Sequence, residues 1–562
     1  TDPDMLRSPP RTYVPKWRPK MRANKSTTLT AIVAALAVML IFPAATFAKQ
    51  IPEKIDPSVE TVLEATGGAR AVPVIVTGPS TFAEVADTIP TGVRVTELPI
   101  VDSVAAFLTP KEIAQLSSSD VVTDILADNA VYGFEVPSSM DVTNLTIGLG
   151  NLTPWNEGGP DGAGVTVAIL DSGIATNTDL DESRITGWKD FVNGQALPYD
   201  DAGHGTFVAG LIAGDGTASL PIEQGGHATV QLRGVAPAAN VVGIKVLDNT
   251  GQGRASDLIA GIAWAVENRR DLGIDVLNIS IGGNPVASVK HDPVAMAVEY
   301  AWQNDIVVVC AAGNEGDFGA GGILSPGNDP LVITVGATDT RQTADPADDA
   351  VADYSSVGPT LFDEIAKPDL VAPGNRLVSL RAAGSYIDTN FPENLLTLEE
   401  YAPTSPTGTQ SNYLRLSGTS ASAPVVSGAV ALMISEDPTL SPDDVKVRLM
   451  ATADPVAGAT VFQQGAGTLD VDEALASSLR ATSPALSAFV GNGKYSLKQK
   501  HYDKWEERSW AKYGWTKFKW TKFKWTKFKW TKFKWTDIVW TKFKWTDYEW
   551  AKFKWTILLQ GQ

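Results

Sequence analysis

Between residues 162 and 478 the chain alternates short apolar runs with longer amphipathic ones, and few folds accommodate that rhythm. The runs are 165–170 (VTVAIL), 241–246 (VVGIKV), 276–281 (VLNISI), 306–311 (IVVVCA) and 332–335, each bounded by Gly, Asp or Asn. They are rich in β-branched residues and do not alternate in polarity, so they read as strands covered on both faces. Helical stretches such as 255–268 and 293–304 separate them, and two more, 422–435 and 441–451, close the block. The pattern predicts a three-layer α/β/α domain with a mainly parallel sheet.

A smaller pattern precedes it. Residues 71–77 (AVPVIVT) read as a strand, 80–89 has helical spacing behind a Ser, and 93–98 (VRVTEL) alternates as a half-buried strand does. In 107–116, Thr109 is placed as an N-cap with Pro110 at the first helical position. Residues 121–126 lead into a last strand. The order strand, helix, strand, strand, helix, strand predicts a small α+β domain, with 49–68 as a polar linker before it.

Charge divides the chain. The net charge over 562 residues is -18. From Lys494 onward 18 Lys and Arg face 6 Asp and Glu, a net of +12 that leaves -30 on the rest. An acidic body therefore carries a basic tail. An apolar fraction of 44% is ample for a large core. One cysteine, Cys310, excludes an intramolecular disulfide and fits bacterial export better than disulfide-rich secretion. Within a strand it reads as a buried, inert small hydrophobe.

The longest apolar run, 29–42 (LTAIVAALAVMLIF), is 14 residues, short for a membrane span. Arg22 and Lys25 precede it and small residues ending at Ala48 follow. This reads as a signal peptide over residues 21–48, cleaved before Lys49, with an uncleaved anchor as the alternative. Residues 1–20 are either a long n-region or upstream sequence.

Three short motifs carry the chemistry, in the order Asp, His, Ser. VAILDSGI places Asp171 directly after an apolar strand, HGTFVAG opens a helix with His204, and SGTSASAP opens another with Ser420. A serine hydroxyl is a poor nucleophile until a base removes its proton. Histidine can take that proton and return it to the leaving amine. A buried aspartate fixes the imidazole tautomer and stabilises its charged form. A fourth motif, VVVCAAGNEG, puts Asn314 in a glycine-rich turn, where its amide could donate to an oxyanion.

With these motifs, GVAPAANVVGIKVL, VLNISIGG and KPDLVAPG stand in register over roughly residues 150–480, and here the chain resembles the subtilisin family (subtilases, S8-type) of serine peptidases. The Asp–His–Ser order is itself the subtilisin one. The resemblance implies a triad of Asp171, His204 and Ser420, with Asn314 as oxyanion donor. It implies that Ser280, Gly282 and Gly283 form one wall of the S1 pocket and Ala312 and Gly313 the other, with Leu324 near its base. It implies that Gly251, Gln252 and Gly253 form an edge strand pairing with the substrate backbone. The 49–138 block resembles an inhibitor-type propeptide, which implies a precursor that cuts itself between Tyr132 and Val142. Phe207 stands where the family often has a second His. No cofactor is expected. A structural calcium is compatible with the long segment 215–232, and Asp179 (in NTDL) matches a calcium-binding position, although calcium takes six to eight oxygens and this is the one named. Lys245 and Asp248, flanking the presumed substrate strand, read as solvated charges.

The expected organisation is thus upstream segment and signal peptide (1–48), prodomain (49–138), peptidase domain (139–480), and linker with tail (481–562). In the tail, Trp recurs every five residues from Trp505 to Trp555, around the unit WTKFK. Neither a helix nor a flat strand gathers that period on one face. Interleaved Lys and aromatics suit a cell-envelope polymer or surface. A structural appendage and unselected low-complexity sequence are the alternatives, and nucleic acid is not an expected partner. Protein or peptide substrates and the chain's own prodomain are the expected partners of the main domain. Two other functions fit less of the sequence: an adhesion protein using the domain as scaffold, and a processing enzyme with one partner substrate.

Overall fold

The computed structural model describes residues 54–66, 70–79, 81–133, 159–341 and 348–490, and three short strands near the C terminus. The expected signal peptide, residues 134–142 of the expected cleavage window and almost all of the Trp repeat lie outside the described residues. Among the described residues, no helix is long and apolar enough to cross a membrane.

The N-terminal unit begins with α1 (Pro57–Ala65), in the stretch expected to be a linker. Pro57 opens the helix, Asp56 accepts from the Ser58 N–H at 2.8 Å, and Val59 is fully buried. One turn of apolar spacing was too little to stand out in a polar stretch. There follow β1 (Val72–Thr77), α2 (Phe82–Ala86), β2 (Val95–Leu98), β3 (Ser103–Leu108), α3 (Pro110–Leu116) and β4 (Asp124–Ala127). The strands form an antiparallel sheet in the order β2-β3-β1-β4. Thr109 and Glu112 close a capping box at α3. Strand alternation gives the sheet two apolar faces. Val72, Val74 and Val76 pack against the unit's own helices, while Ile75 joins the core of the main domain. A last strand, β5 (Ala130–Gly133), leaves this sheet altogether.

The main domain is built on β6 (Thr166–Asp171), β7 (Ile185–Asp190), α4 (His204–Ala213), β8 (Asn240–Lys245), β9 (Gln252–Arg254), α5 (Ala255–Leu272), β10 (Ile274–Ile279), β11 (Ile281–Gly282), α6 (Pro293–Gln303), β12 (Val307–Ala311), β13 (Ile333–Asp339), β14 (Ala350–Val351), β15 (Leu370–Pro373), β16 (Leu377–Leu380), β17 (Tyr413–Leu416), α7 (Thr419–Glu436) and α8 (Pro442–Thr452). The central sheet runs β14-β13-β12-β10-β6-β8-β7, with β15 also on β13, and every pairing but β13–β14 is parallel. β6 is buried along its whole length. Strand order reverses around it, so its carboxyl end opens the crevice where α/β sheets place their ligands. α7 is fully buried from Thr419 to Met433, its small residues letting the sheet approach.

The body extends past the expected boundary at 480. Ser487 donates to Asp369 Oδ1 at 2.5 Å and accepts from Lys446 Nζ at 2.9 Å. The Val490 N–H reaches the Glu364 carbonyl. Beyond it, Phe533–Lys534, Ile538–Trp540 and Leu558–Leu559 pair antiparallel.

Candidate active site

Asp171 ends β6 and is fully buried. His204 is the first residue of α4, and its Nδ1 lies 2.7 Å from Asp171 Oδ1. A carboxylate there accepts, so Nδ1 carries the proton and Nε2 is the basic nitrogen. The approach requires glycine. A Cβ on Gly205 would sit 2.1 Å from the Gly173 carbonyl, and Gly173 itself holds a φ of 122°. Ser420 lies in the first turn of α7, 3% exposed, at the positive end of the helix dipole.

Asn314 follows β12. Its Oδ1 accepts from the Thr419 N–H at 2.9 Å and the Thr419 hydroxyl at 3.0 Å. The hydroxyl in turn accepts from the Gly313 N–H at 3.1 Å. Two donors on one side fix the amide orientation and turn Nδ2 away, buried and without a partner. Such a donor suits an oxyanion that forms only during reaction. Thr419 escaped the sequence reading, although it stands inside SGTSASAP.

The expected S1 walls meet through a shared segment. Leu324 N–H donates to the Ala312 carbonyl at 3.0 Å, and Ser325 exchanges backbone bonds of 2.9 Å with Gly283. Leu324 is buried, and a Cβ on Gly313 would fall 2.7 Å from its Cγ. Cys310, below this wall, is fully buried, and burial pushes its thiol far above its ordinary range.

β5 occupies the expected substrate track. It lies antiparallel between β9 and β11, with Val131 opposite Gly253, Tyr132 opposite both Gln252 and Gly282, and Gly133 opposite Ile281. Gly133 donates to the Gly251 carbonyl at 3.3 Å. A Cβ on Gly133 would be 3.4 Å from His204 Nδ1, so the strand ends against the His204 imidazole. The turn into β9 is organised by Asp248 Oδ1, which accepts from Thr250 and Gln252.

One expectation needs correction, and the surroundings of Asp179 bear on another. Lys245 is not solvated: it is fully buried, donating to the Ser172 and Leu247 carbonyls and, at 2.6 Å, to Asp201. Its place at the end of an interior strand decides this, and sequence charge alone does not show it. Asp179 does not fit a calcium cage. The Ala218 N–H and the Tyr413 hydroxyl donate to its two oxygens, burial raises its pKa to about 6, and no cluster of three His, Cys, Asp or Glu is suited to a metal among the described residues. Calcium needs converging oxygens, whereas Asp179 is met by donors.

Comparison with known proteins agrees with this architecture. The family description "Subtilase family" matches residues 162–474. Serine protease AprX of Bacillus subtilis is 40% identical over 319 residues, covering 56% of this chain and 66% of that protein. Subtilisin DY of Bacillus licheniformis is 35% identical over 319 residues, covering 56% of this chain and 92% of that protein. The crystal structure of fervidolysin from Fervidobacterium pennivorans, described as a keratinolytic enzyme related to subtilisin, shares the fold at a TM-score of 0.55 and 23% identity, over 74% of this chain and 62% of that one. The chain belongs to the subtilase family of subtilisin-like serine peptidases.

Proposed function

We propose that the chain is a secreted serine endopeptidase, made as a precursor, that hydrolyses protein peptide bonds through an acyl-enzyme on Ser420. The hydrogen bond from His204 to Asp171, with Ser420 in the first turn of the helix that packs on α4 and a donor amide with no partner of its own, carries this reading. Ser420 Oγ attacks the carbonyl carbon as His204 Nε2 takes its proton. The Asn314 Nδ2 and the start of α7 stabilise the oxyanion, and the imidazolium returns the proton to the leaving amine. Water then attacks the acyl carbon as His204 Nε2 takes its proton, and the imidazolium returns that proton to Ser420 Oγ as the acyl–oxygen bond breaks and the new carboxyl end leaves.

Residues 49–138 are proposed as an inhibitory prodomain removed by the enzyme itself. In support, β5 fills the track between β9 and β11 and ends at His204. The bond cut is assigned to the few residues after Gly133. The same strand supports a substrate bound by main-chain pairing, with Ser280, Gly282, Gly283, Ala312, Gly313 and Leu324 setting an apolar preference at the residue before the cut. The signal-like segment supports export from a bacterial cell. The basic Trp/Lys tail supports attachment to an anionic envelope polymer.

Expression of residues 49–562 as wild type and as Ser420→Ala, with intact mass and casein hydrolysis followed over time, tests the assignment. The wild type is expected to lose its N-terminal unit, show a new N terminus shortly after residue 133, and digest casein, while the variant does neither. Two full-length, inert proteins would refute the assignment. Deleting residues 491–562 is expected to leave casein hydrolysis unchanged and to abolish retention on teichoic-acid-coated beads; equal retention would refute the tail's role.

A further inference from the structure

We infer that Asp200 is a positioning residue for the catalytic base, locking the strand end that carries Asp171 to the helix start that carries His204. The inference rests on the peptidase reading above and adds a second carboxylate to it. Asp200 is buried, and it accepts hydrogen bonds from the segments on either side of the triad pair. Oδ1 receives the Ser172 hydroxyl at 2.9 Å, the Ala202 N–H at 3.2 Å and the Gly203 N–H at 2.8 Å. Oδ2 receives the Thr206 N–H at 2.8 Å and the Thr206 hydroxyl at 2.7 Å.

Each donor belongs to a residue within two positions of Asp171 or His204. Ser172 closes the ring, because its N–H donates to Asp171 Oδ1 at 2.7 Å and its hydroxyl accepts from the Gly205 N–H at 2.9 Å. The Thr206 hydroxyl accepts in turn from the Ala175 N–H at 2.9 Å, binding α4 to the loop after β6 once more. The first N–H groups of a helix have no partner within it. Here Gly205 is served by Ser172 and Thr206 by Asp200, and a negative charge at a helix N terminus is favourable. The neighbouring cation, Lys245, is engaged by Asp201 instead.

Backbone N–H groups cannot reverse. Either oxygen of Asp200, if replaced by NH2, would therefore point a donor at a donor. Burial does press the carboxyl toward its neutral form, but a proton on it would break the same ring. Its ionised form suits the five bonds, and its charge adds to that of Asp171 in favouring the imidazolium. The ring thus has two effects: it sets the distance between Asp171 and His204, and it raises the basicity of His204.

Asp200→Asn and Ser172→Ala, beside wild type, provide the test. Active centres are counted with a fluorophosphonate, and kcat, KM and the pH profile of kcat/KM are measured on a tetrapeptide anilide. For Asp200→Asn the expectation is a kcat per titrated centre lower by about 10-fold or more, as small misplacement of a reacting group can cause. KM is expected to stay within about twofold, since the substrate track is untouched, and the acid limb is expected to move to lower pH. Ser172→Ala is expected to move both in the same direction by less. If activity per centre and the acid limb equal wild type, and only the number of centres falls, Asp200 is scaffold and the inference is overturned. Should the Asn variant not fold, an unchanged Ser172→Ala overturns it equally. A wild type that neither titrates nor cleaves would overturn the peptidase reading, and this inference with it.

Discussion

Thr419 decides which way the Asn314 carboxamide points, because its N–H and its hydroxyl face the same amide oxygen. Asn314→Ala is expected to lower kcat by about 100- to 1,000-fold with little change in KM, a magnitude established on a subtilisin that lost such a donor. Thr419→Val keeps the volume and the N–H but removes the hydroxyl, so a smaller loss of about 10-fold is expected, with Thr419→Ser restoring it; peptide anilide kinetics distinguish the three. At this scale the proposed roles of Asp171, His204, Ser420 and Asn314 come from short motifs, and the structure sets each motif at the end of one element. Thr419, Ser172 and Asp200 could not be given roles that way. Their partners lie on other loops, and which loops meet is decided by the packing of the sheet. Lys245 shows the same limit from the other side: its charge suggested solvent, while its strand carried it inside.

At the scale of elements, the interior strands were legible because burial on both faces leaves an apolar run, as in β6 and β12. α1 was not, having a single short apolar face. Nor does sequence show that β5 would desert its own sheet. Asp128, just before β5, accepts from both the N–H and the hydroxyl of Ser256 at 2.9 and 2.7 Å, so the N-terminal unit caps a helix of the main domain. Losing a cap costs about 1 kcal/mol, up to 2. On the proposed self-maturation, Asp128→Ala is therefore expected to speed release of the cleaved N-terminal unit by roughly 5- to 30-fold. The lag between cleavage, seen by mass, and full peptidase activity measures this; an unchanged lag would mean that the cap contributes nothing to retention.

At the scale of the whole molecule, the join between the two parts titrates. Asp128 is raised by burial, and Asp257, at the start of α5, is raised to about 6 by burial and by Asp128 beside it. His291 is raised by its hydrogen bond to Asp124 of β4, against the cost of burial, with Lys290 and Asp363 as further charged neighbours. Arg254, 3.9 Å from Asp128, offsets part of the acid–acid repulsion. Each shift is upward, so the joined state holds protons more firmly than the separated one. The Asp257 contribution is present below the ordinary carboxylate value and is lost as pH rises through about 6, and that of Asp128 is lost as pH rises through its own raised value. The His291 contribution is present below its ordinary 6.5 and is lost above its raised value. Retention of the cleaved unit is thus expected to weaken steadily from pH 5 to 8, which size-exclusion chromatography of Ser420→Ala mixed with the separated unit at several pH values would check. Equal retention across that range would contradict it.

The seat that β5 fills has a consequence for diet. Once the proposed maturation empties it, β9 and β11 face each other across a slot that accepts only a fully stretched backbone, bonded along both of its edges. A segment held in a helix or a native sheet cannot enter until it lets go of its own hydrogen bonds. Speed of digestion should then follow how easily a target comes undone locally, so that a floppy chain disappears quickly while a compact globule of the same composition is merely nicked at its loops.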